Sequence, residues 1–328
     1  MKKLNKKDIV QALSLIAKNA EVILPRSVDG PLTFSRWDGS TPPNLEGNSI
    51  LPPKDALFPK TEKMYRYNTK SGHIEEFVFE ENQVVFGIRP CDVASIVNMD
   101  KVFLEEGFID SYYRRRREAL TIISVGCSAS LRTCFCDSVG GSPFDAPNAD
   151  IMMNDVGEAF TVVAKSTKGE KIMEMWNELL SGSKVKPKAV SCDLKVDWHD
   201  GIPKKLTSMF DDRIWTDLSR GCLGCGICTY VCPTCYCFDI GQEVQGIKGN
   251  AFRCWDSCMF SDYTRMAGGH DPRPTKKERL RNRYMHKLSY FNDRYGSTLC
   301  VGCGRCVESC PANLDISAFI DKVGGERK

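Results

Sequence analysis

"CLGCGICTYVCP" (Cys222–Pro233) and "CVGCGRCVESCP" (Cys300–Pro311) decide how the C-terminal part of this chain folds. Each reads C-x2-C-x2-C-x3-C-P. Three thiolates at that spacing wrap one face of a cubane iron–sulfur cluster, and the fourth cysteine, closed off by proline, ligates the other cluster where two are present. The spacing therefore assigns one [4Fe-4S] cluster to Cys222, Cys225, Cys228 and Cys310, and a second to Cys300, Cys303, Cys306 and Cys232. Gly224, Gly226, Gly302 and Gly304 are small enough to let backbone approach a cluster closely. Zinc is the alternative reading, but zinc sites use two separated C-x2-C pairs, which explains neither run of three nor their recurrence.

The rest of the composition fits this reading. The chain has 328 residues, a net charge of +3 and 17 cysteines. That length predicts about two domains with a real core. An odd total with many close spacings suits metal ligands better than disulfides. No apolar stretch approaches the ~18 residues a membrane span needs. The N-terminus has a basic start and a short apolar run, but Asp8, Gln11 and Ser14 interrupt it. Ile9, Leu13 and Ile16 fall on one helical face, so an amphipathic helix of a cytoplasmic protein is expected rather than a signal peptide.

Upstream of the motifs the pattern is α/β. Residues 25–63 are rich in Pro, Gly and Ser and read as a loop or small meander. FVFEENQVVFGI (77–88) holds two apolar runs of strand length. DVASIVNMDKVFLEEG (92–107) reads as a helix capped by Asp92, with Val93, Ile96, Val97 and Phe103 inward and Gly107 as the stop. ALTIISVGC (119–127) reads as a buried parallel strand, giving a β-α-β unit over 83–127. FTVVAK is a further strand, and GEKIMEMWNELLSG a helix burying Ile172, Trp176 and Leu179. The expected fold is an α+β or α/β N-terminal domain (1–205) with a mostly parallel sheet, followed by a mainly helical dicluster ferredoxin-type domain (206–328), joined through the polar segment 183–210. In the second domain TKKERLRNRYMHKL (275–288) reads as a helix with a Thr275/Glu278 capping box and Leu280, Tyr284 and Leu288 on one face. No GxGxxG or P-loop points to a nucleotide.

Five cysteines precede the motifs. Cys91 and Cys127 each follow a predicted strand, so parallel pairing would set both at the carboxyl edge of one sheet, where open α/β sheets place ligand sites. Cys134 and Cys136 follow in a short loop. These four make a possible third cluster site, with buried or redox-active thiols and zinc as the alternatives. Cys235, Cys237, Cys254 and Cys258 are a weaker candidate for a fourth, because cysteine is often simply buried. Cys192 stands alone and is given no role.

Taken with "CPTCYCFDI", "RCWDSCMF" and "GGHDPRPTKKERLRNRYMHKL" between the motifs, and "GIRPCD" and "TCFCDSVGGSP" before them, the sequence resembles the β (electron-transfer) subunit of soluble NAD(P)-linked [NiFe] sulfhydrogenases. It is similar also to the dicluster iron–sulfur subunit of anaerobic sulfite reductase. The resemblance covers about 85–328. It departs where "GCSAS" stands in place of the family's "NCTEP", and the first 80 residues fall outside it. It implies an anaerobic iron–sulfur subunit, not itself catalytic, relaying electrons between a flavin/NAD(P)H-reacting partner and a catalytic or acceptor subunit, or a ferredoxin. A protein that itself reduces a substrate at the upstream site is the second possibility, and a zinc-binding interaction module the third.

The remaining features are local. Arg114–Arg117 reads as a solvated loop or partner contact, with a specific anion site as the alternative. The basic stretch Arg273–Lys287 could raise the potential of a nearby cluster, steer an acidic partner, or be an ordinary exposed face. It is not interleaved with aromatics along a groove, so no nucleic-acid partner is expected. His270 and His286 read as surface histidines.

Overall fold

The computed structural model describes residues 1–27 and 30–325. The chain divides into two compact units. The first comprises Met1–Leu57, Glu80–Lys195 and Val301–Cys303, and the second Phe58–Phe79, Val196–Cys300 and Gly304–Lys328. A single cut near residue 205 misses two exchanges, since 58–79 belongs with the second unit and 301–303 with the first.

The first unit is built on an eight-stranded sheet in the order Leu180–Gly182, Lys2–Asn5, Ala159–Ala164, Ile151–Asp155, Leu120–Val125, Gln83–Ile88, Glu21–Arg26, Thr33–Arg36. The middle four strands, Ile151–Asp155 through Glu21–Arg26, are parallel neighbours, and the flanking pairs are antiparallel. The sheet is therefore mixed, not mostly parallel. The centre follows from the sequence: Gln83–Ile88 is buried at every position, as a strand covered on both faces must be. The flanks follow from short connections, such as the turn between Asp155 and Ala159, that permit only antiparallel return.

Helix Ile9–Ile16 buries Ile9, Leu13 and Ile16, as its spacing predicts. They join Leu4, Phe86, Ile123, Ile151 and Trp176 in one core, each such side chain contributing about 1.5–3 kcal/mol. Trp176 satisfies its indole N–H on the Ala12 carbonyl at 2.9 Å. Its helix, Thr167–Met175, is shorter than expected, and the chain goes on to form the edge strand Leu180–Gly182. Between Phe77 and Asn82 no strand forms.

Helix Pro90–Phe103 starts before Asp92: Arg89 is the N-cap and Pro90 fills the first position, where its fixed φ suits a helix. Asp92 lies in the first turn, favourably placed for the helix dipole. The arginine run is also not a loop. It sits in helix Ser111–Ala119, whose cap Asp110 accepts from the Tyr113 amide, and Arg117 pairs with Asp100 at 3.0 Å.

The second unit is less helical than expected. Helices Ile202–Ser208, Ile214–Gly221, Lys276–Met285 and Ile316–Gly324 accompany a four-stranded antiparallel sheet, ordered Phe238–Gln245, Lys248–Trp255, Thr61–Asn68, His73–Glu76. Alternate residues of Lys248–Trp255 are buried, the period of a strand with one covered face. Two of its strands come from a segment read as loop and its surroundings, so the sequence hid the pairing. The Thr275/Glu278 capping box forms as expected, and Leu280, Tyr284 and Leu288 are buried. Trp215, Tyr284 and Phe319 pack ring against ring, Tyr284 and Phe319 edge to face at 4.7 Å. Among the described residues no helix is long and apolar enough to cross a membrane.

Candidate metal centres

In the second unit, Cys222, Cys225, Cys228 and Cys310 line one cavity of about 30 Å³, closed by Leu223, Ile227, Met259, Leu280, Arg283 and Tyr284. The two motifs thus meet across the stretch of chain between them, as the crossed assignment requires. Backbone amides turn toward the sulfurs: Gly224 N–H donates to Cys222 Sγ at 3.4 Å and Leu314 N–H to Cys310 Sγ at 3.3 Å. Cys225 is exposed at the rim while Cys222 is buried.

Of the second set, burial raises the Cys306 pKa, and Cys232 is close enough for its charge to raise it further. Two cations are enclosed with them. Arg283 is 4% exposed, and burial, which opposes its charge, is outweighed by the thiolates of Cys228 and Cys306, which hold its pKa above the ordinary range. Its Nε is buried and has no hydrogen-bond partner among the described residues. Lys287 is 2% exposed and donates to Thr234 Oγ1 at 2.7 Å, and Thr234 Oγ1 lies 3.3 Å from Cys232 Sγ. Burial lowers the Lys287 pKa, but Cys232, Cys235 and Cys300 hold it up. Buried cations ringed by thiols, one with an orphaned N–H, suit a thiolate-held anionic group. The soft donor set suits iron–sulfur clusters or zinc rather than hard cations. The basic stretch is therefore not simply an exposed face: Arg279, Arg283 and Lys287 point inward, while Arg281 stacks on Phe210 at 3.7 Å.

Cys303, assigned by spacing to the second set, lies within the first unit, buried among Cys91, Cys136, Cys192 and Val301. There a cavity of about 90 Å³ is lined by Cys91, Cys127, Cys134, Cys136, Cys192 and Cys303. The sheet explains the convergence. Gln83–Ile88 and Leu120–Val125 are parallel neighbours, so Cys91 and Cys127 leave the same edge. Arg89 is buried behind them and donates to the carbonyls of Gly47, Val125 and Gly126. Gly302 is required by the contact that brings Cys303 here. Its φ is 61°, and a Cβ would stand 2.6 Å from the backbone of Cys136 and Phe135. Its carbonyl accepts from the Phe135 amide at 2.8 Å. The close approach expected of this glycine is thus to protein backbone.

Cys192, given no role by its sequence context, is 2% exposed, with Sγ 3.6 Å from Cys136 Sγ. That hydrogen bond lowers Cys192 to about 6. It raises Cys136, as do burial and the thiols of Cys91, Cys192 and Cys127.

Of the other quartet, Cys235, Cys237 and Cys258 are neighbours, and Cys254 stands apart from them. The Cys235 thiol bonds to Cys232, Cys237 bonds to Cys258 and Tyr263, and Cys254 sits half-buried in its strand opposite Asp239. Among the described residues no three His, Cys, Asp or Glu side chains converge closely enough for a single metal ion.

His270 is exposed, but His286 is half-buried and accepts or donates at 2.9 Å with the Tyr236 hydroxyl. Burial, helped by the Lys287 cation, lowers its pKa from 6.5 to about 4. The unfolded chain therefore binds a proton that the folded one refuses between these values, and stability falls as pH drops through this window. We expect the unfolding midpoint of His286→Phe to be flatter than wild type between about pH 6.5 and 4. Chemical denaturation at a series of pH values checks this. Parallel profiles would contradict it.

Residues 221–314 match the family described as a 4Fe-4S dicluster domain. The chain is 32% identical to the sulfhydrogenase 2 subunit beta of Pyrococcus furiosus over 287 residues, covering 84% of this chain and 83% of the relative. No solved structure matches.

Proposed function

We propose an electron-relay role from one premise: the chain belongs to the sulfhydrogenase beta-subunit family and carries a 4Fe-4S dicluster domain. In this reading it passes electrons between a flavin/NAD(P)H-reacting partner and a catalytic or acceptor subunit, and is not itself the site of substrate turnover. The observation that carries it is the wall of four cysteines drawn from both motifs. Cys222, Cys225, Cys228 and Cys310 hold one cluster, and within the second unit Cys232, Cys300 and Cys306 are the ligands that the motif spacing gives the other. When bound, such clusters supply one-electron carriers whose potential follows their charge, hydrogen bonding and exposure.

The chain's own residues do the rest. The Gly224 and Leu314 amides donate to the ligand sulfurs, Arg283 and Lys287 offset thiolate charge, and Leu280, Met259 and Tyr284 exclude water. The exposed Leu223 and Ile227 beside Cys225 form an apolar rim where a partner protein can approach. The upstream thiol cavity holds a third cluster in the same reading, supported by six cysteines around one space and by the buried Arg89 behind them.

Iron and sulfide analysis of anaerobically purified protein tests the cluster content. We expect about 12 Fe per chain, and about 8 would remove the upstream cluster. The relay is tested by adding reduced flavin partner and following the absorbance near 400 nm. Bleaching that requires the partner supports it. Substrate turnover by the isolated chain with an artificial donor would instead favour a catalytic upstream site.

A further inference from the structure

Cys192 belongs to no motif, yet the fold fixes it at the upstream cavity. Its amide donates to Asp137 Oδ2 at 2.8 Å, and the Lys195 ammonium reaches the same oxygen at 2.6 Å. Next to it, the Asp193 amide donates to Ser130 Oγ at 3.2 Å. These three bonds tie 192–195 to the loop that carries Cys127, Cys134 and Cys136. They leave the Cys192 sulfur buried, 3.6 Å from Cys136 Sγ. Cys134 behaves differently. It is only partly buried, and its thiol turns to the Cys303 carbonyl at 3.5 Å.

The charges point the same way. The thiols that bear on Cys136 are Cys192, Cys91 and Cys127. Cys127 in turn is influenced by Cys192. Cys134 lines the same cavity and packs against these thiols, but its own thiol is engaged by the Cys303 carbonyl. The buried Cys136–Cys192 contact and the turn of the Cys134 thiol toward a carbonyl favour Cys91, Cys127, Cys136 and Cys192, four thiols from three separate segments, whereas sequence spacing had selected Cys134 as the fourth.

We propose that Cys192 is the fourth ligand of the upstream [4Fe-4S] cluster, with Cys91, Cys127 and Cys136, and that Cys134 is not a ligand. This deepens the upstream reading above and rests on it. A separation of 3.6 Å is well beyond the ~2.05 Å of a disulfide, so the two sulfurs are free to part onto separate irons.

The test uses the full chain, purified anaerobically. Cys192→Ala is expected to lose about 4 Fe and about 4 sulfide per chain, together with one set of EPR signals. Cys192→Ser is expected to keep the iron with altered g-values, because a serine oxygen can still bind. Cys134→Ala is expected to match wild type in both readouts. Unchanged signals from the two C-terminal clusters show that each variant is folded.

The reverse pattern, with Cys134→Ala losing the iron and Cys192→Ala keeping it, would overturn the assignment in favour of the spacing-based quartet. Loss in both variants would overturn the exclusion of Cys134. If wild type itself carried about 8 Fe, the upstream cluster would fall and the ligand assignment with it. In that case a thiol count two lower after mild oxidation, a drop restored by reductant and absent in Cys192→Ala, would identify Cys136 and Cys192 as a dithiol pair instead.

Discussion

Lys287→Met is expected to lower the reduction potential of the second C-terminal cluster and to cost the folded protein about 3–5 kcal/mol. Lys287 is an ammonium almost fully removed from water, in a part of the chain where Cys232 is also buried. Its charge is held on by Cys232, Cys235 and Cys300 against the burial that would otherwise neutralise it. Methionine matches the length and removes the charge. The thiolates then lose their counter-charge, and the Thr234 hydroxyl, fully buried, loses its 2.7 Å donor. Adding an electron to an already anionic group becomes harder, so the potential moves down. Lys287→Arg keeps the charge but not the compact ammonium, and should preserve the potential better than it preserves stability. EPR-monitored redox titration checks the first effect, and chemical denaturation of the anaerobic protein the second. A methionine variant with an unshifted potential would mean that Lys287 serves the fold alone.

This cation also marks how much of the site the sequence reveals. The two ferredoxin motifs are legible because ligand spacing is local: four cysteines and a proline within twelve positions define the loop whatever surrounds it. The inward turn of Arg283 and Lys287 is not legible, because a run of basic residues reads as a solvated face unless the partner charges are known. Cys91 and Cys127 were reachable through the parallel pairing of two strongly apolar strands. Cys192 was not, since its place depends on the Asp137 and Ser130 bonds of a polar segment with no periodicity. The sheet was half legible for a related reason. Continuous apolar runs announce central parallel strands, but short antiparallel edges such as Leu180–Gly182 leave almost no pattern. The family resemblance supplied the electron-transfer reading, and the 32% identity to a sulfhydrogenase beta subunit is consistent with it.

Glu62→Ala is expected to destabilise the second unit by about 3–5 kcal/mol, the cost of stranding a buried charge. Arg253 is 1% exposed, and its guanidinium meets the Glu62 carboxylate through two nitrogens, each at 2.7 Å. It lies 5.1 Å from the Phe58 ring centroid and 5.6 Å from that of Phe238. With Glu62 gone, the cation keeps its aromatic walls and loses its countercharge in a place water cannot reach. Replacing both partners, as Glu62→Leu with Arg253→Met, should recover most of the loss, since burying two apolar side chains strands nothing. Denaturation of the two single variants and the double variant gives the coupling. A double variant as unstable as the sum of the singles would mean the pair holds nothing together. The two residues are directly opposite in the register of Thr61–Asn68 against Lys248–Trp255. A slip of one position would turn each side chain to the other face of the sheet and part the charges. A buried ion pair adds little net stability over an apolar one, so its use here is to fix which residues of a weakly patterned segment face which. That role predicts a specific deficit in the double variant: near-native stability, with faster proteolysis within 58–79 than in wild type.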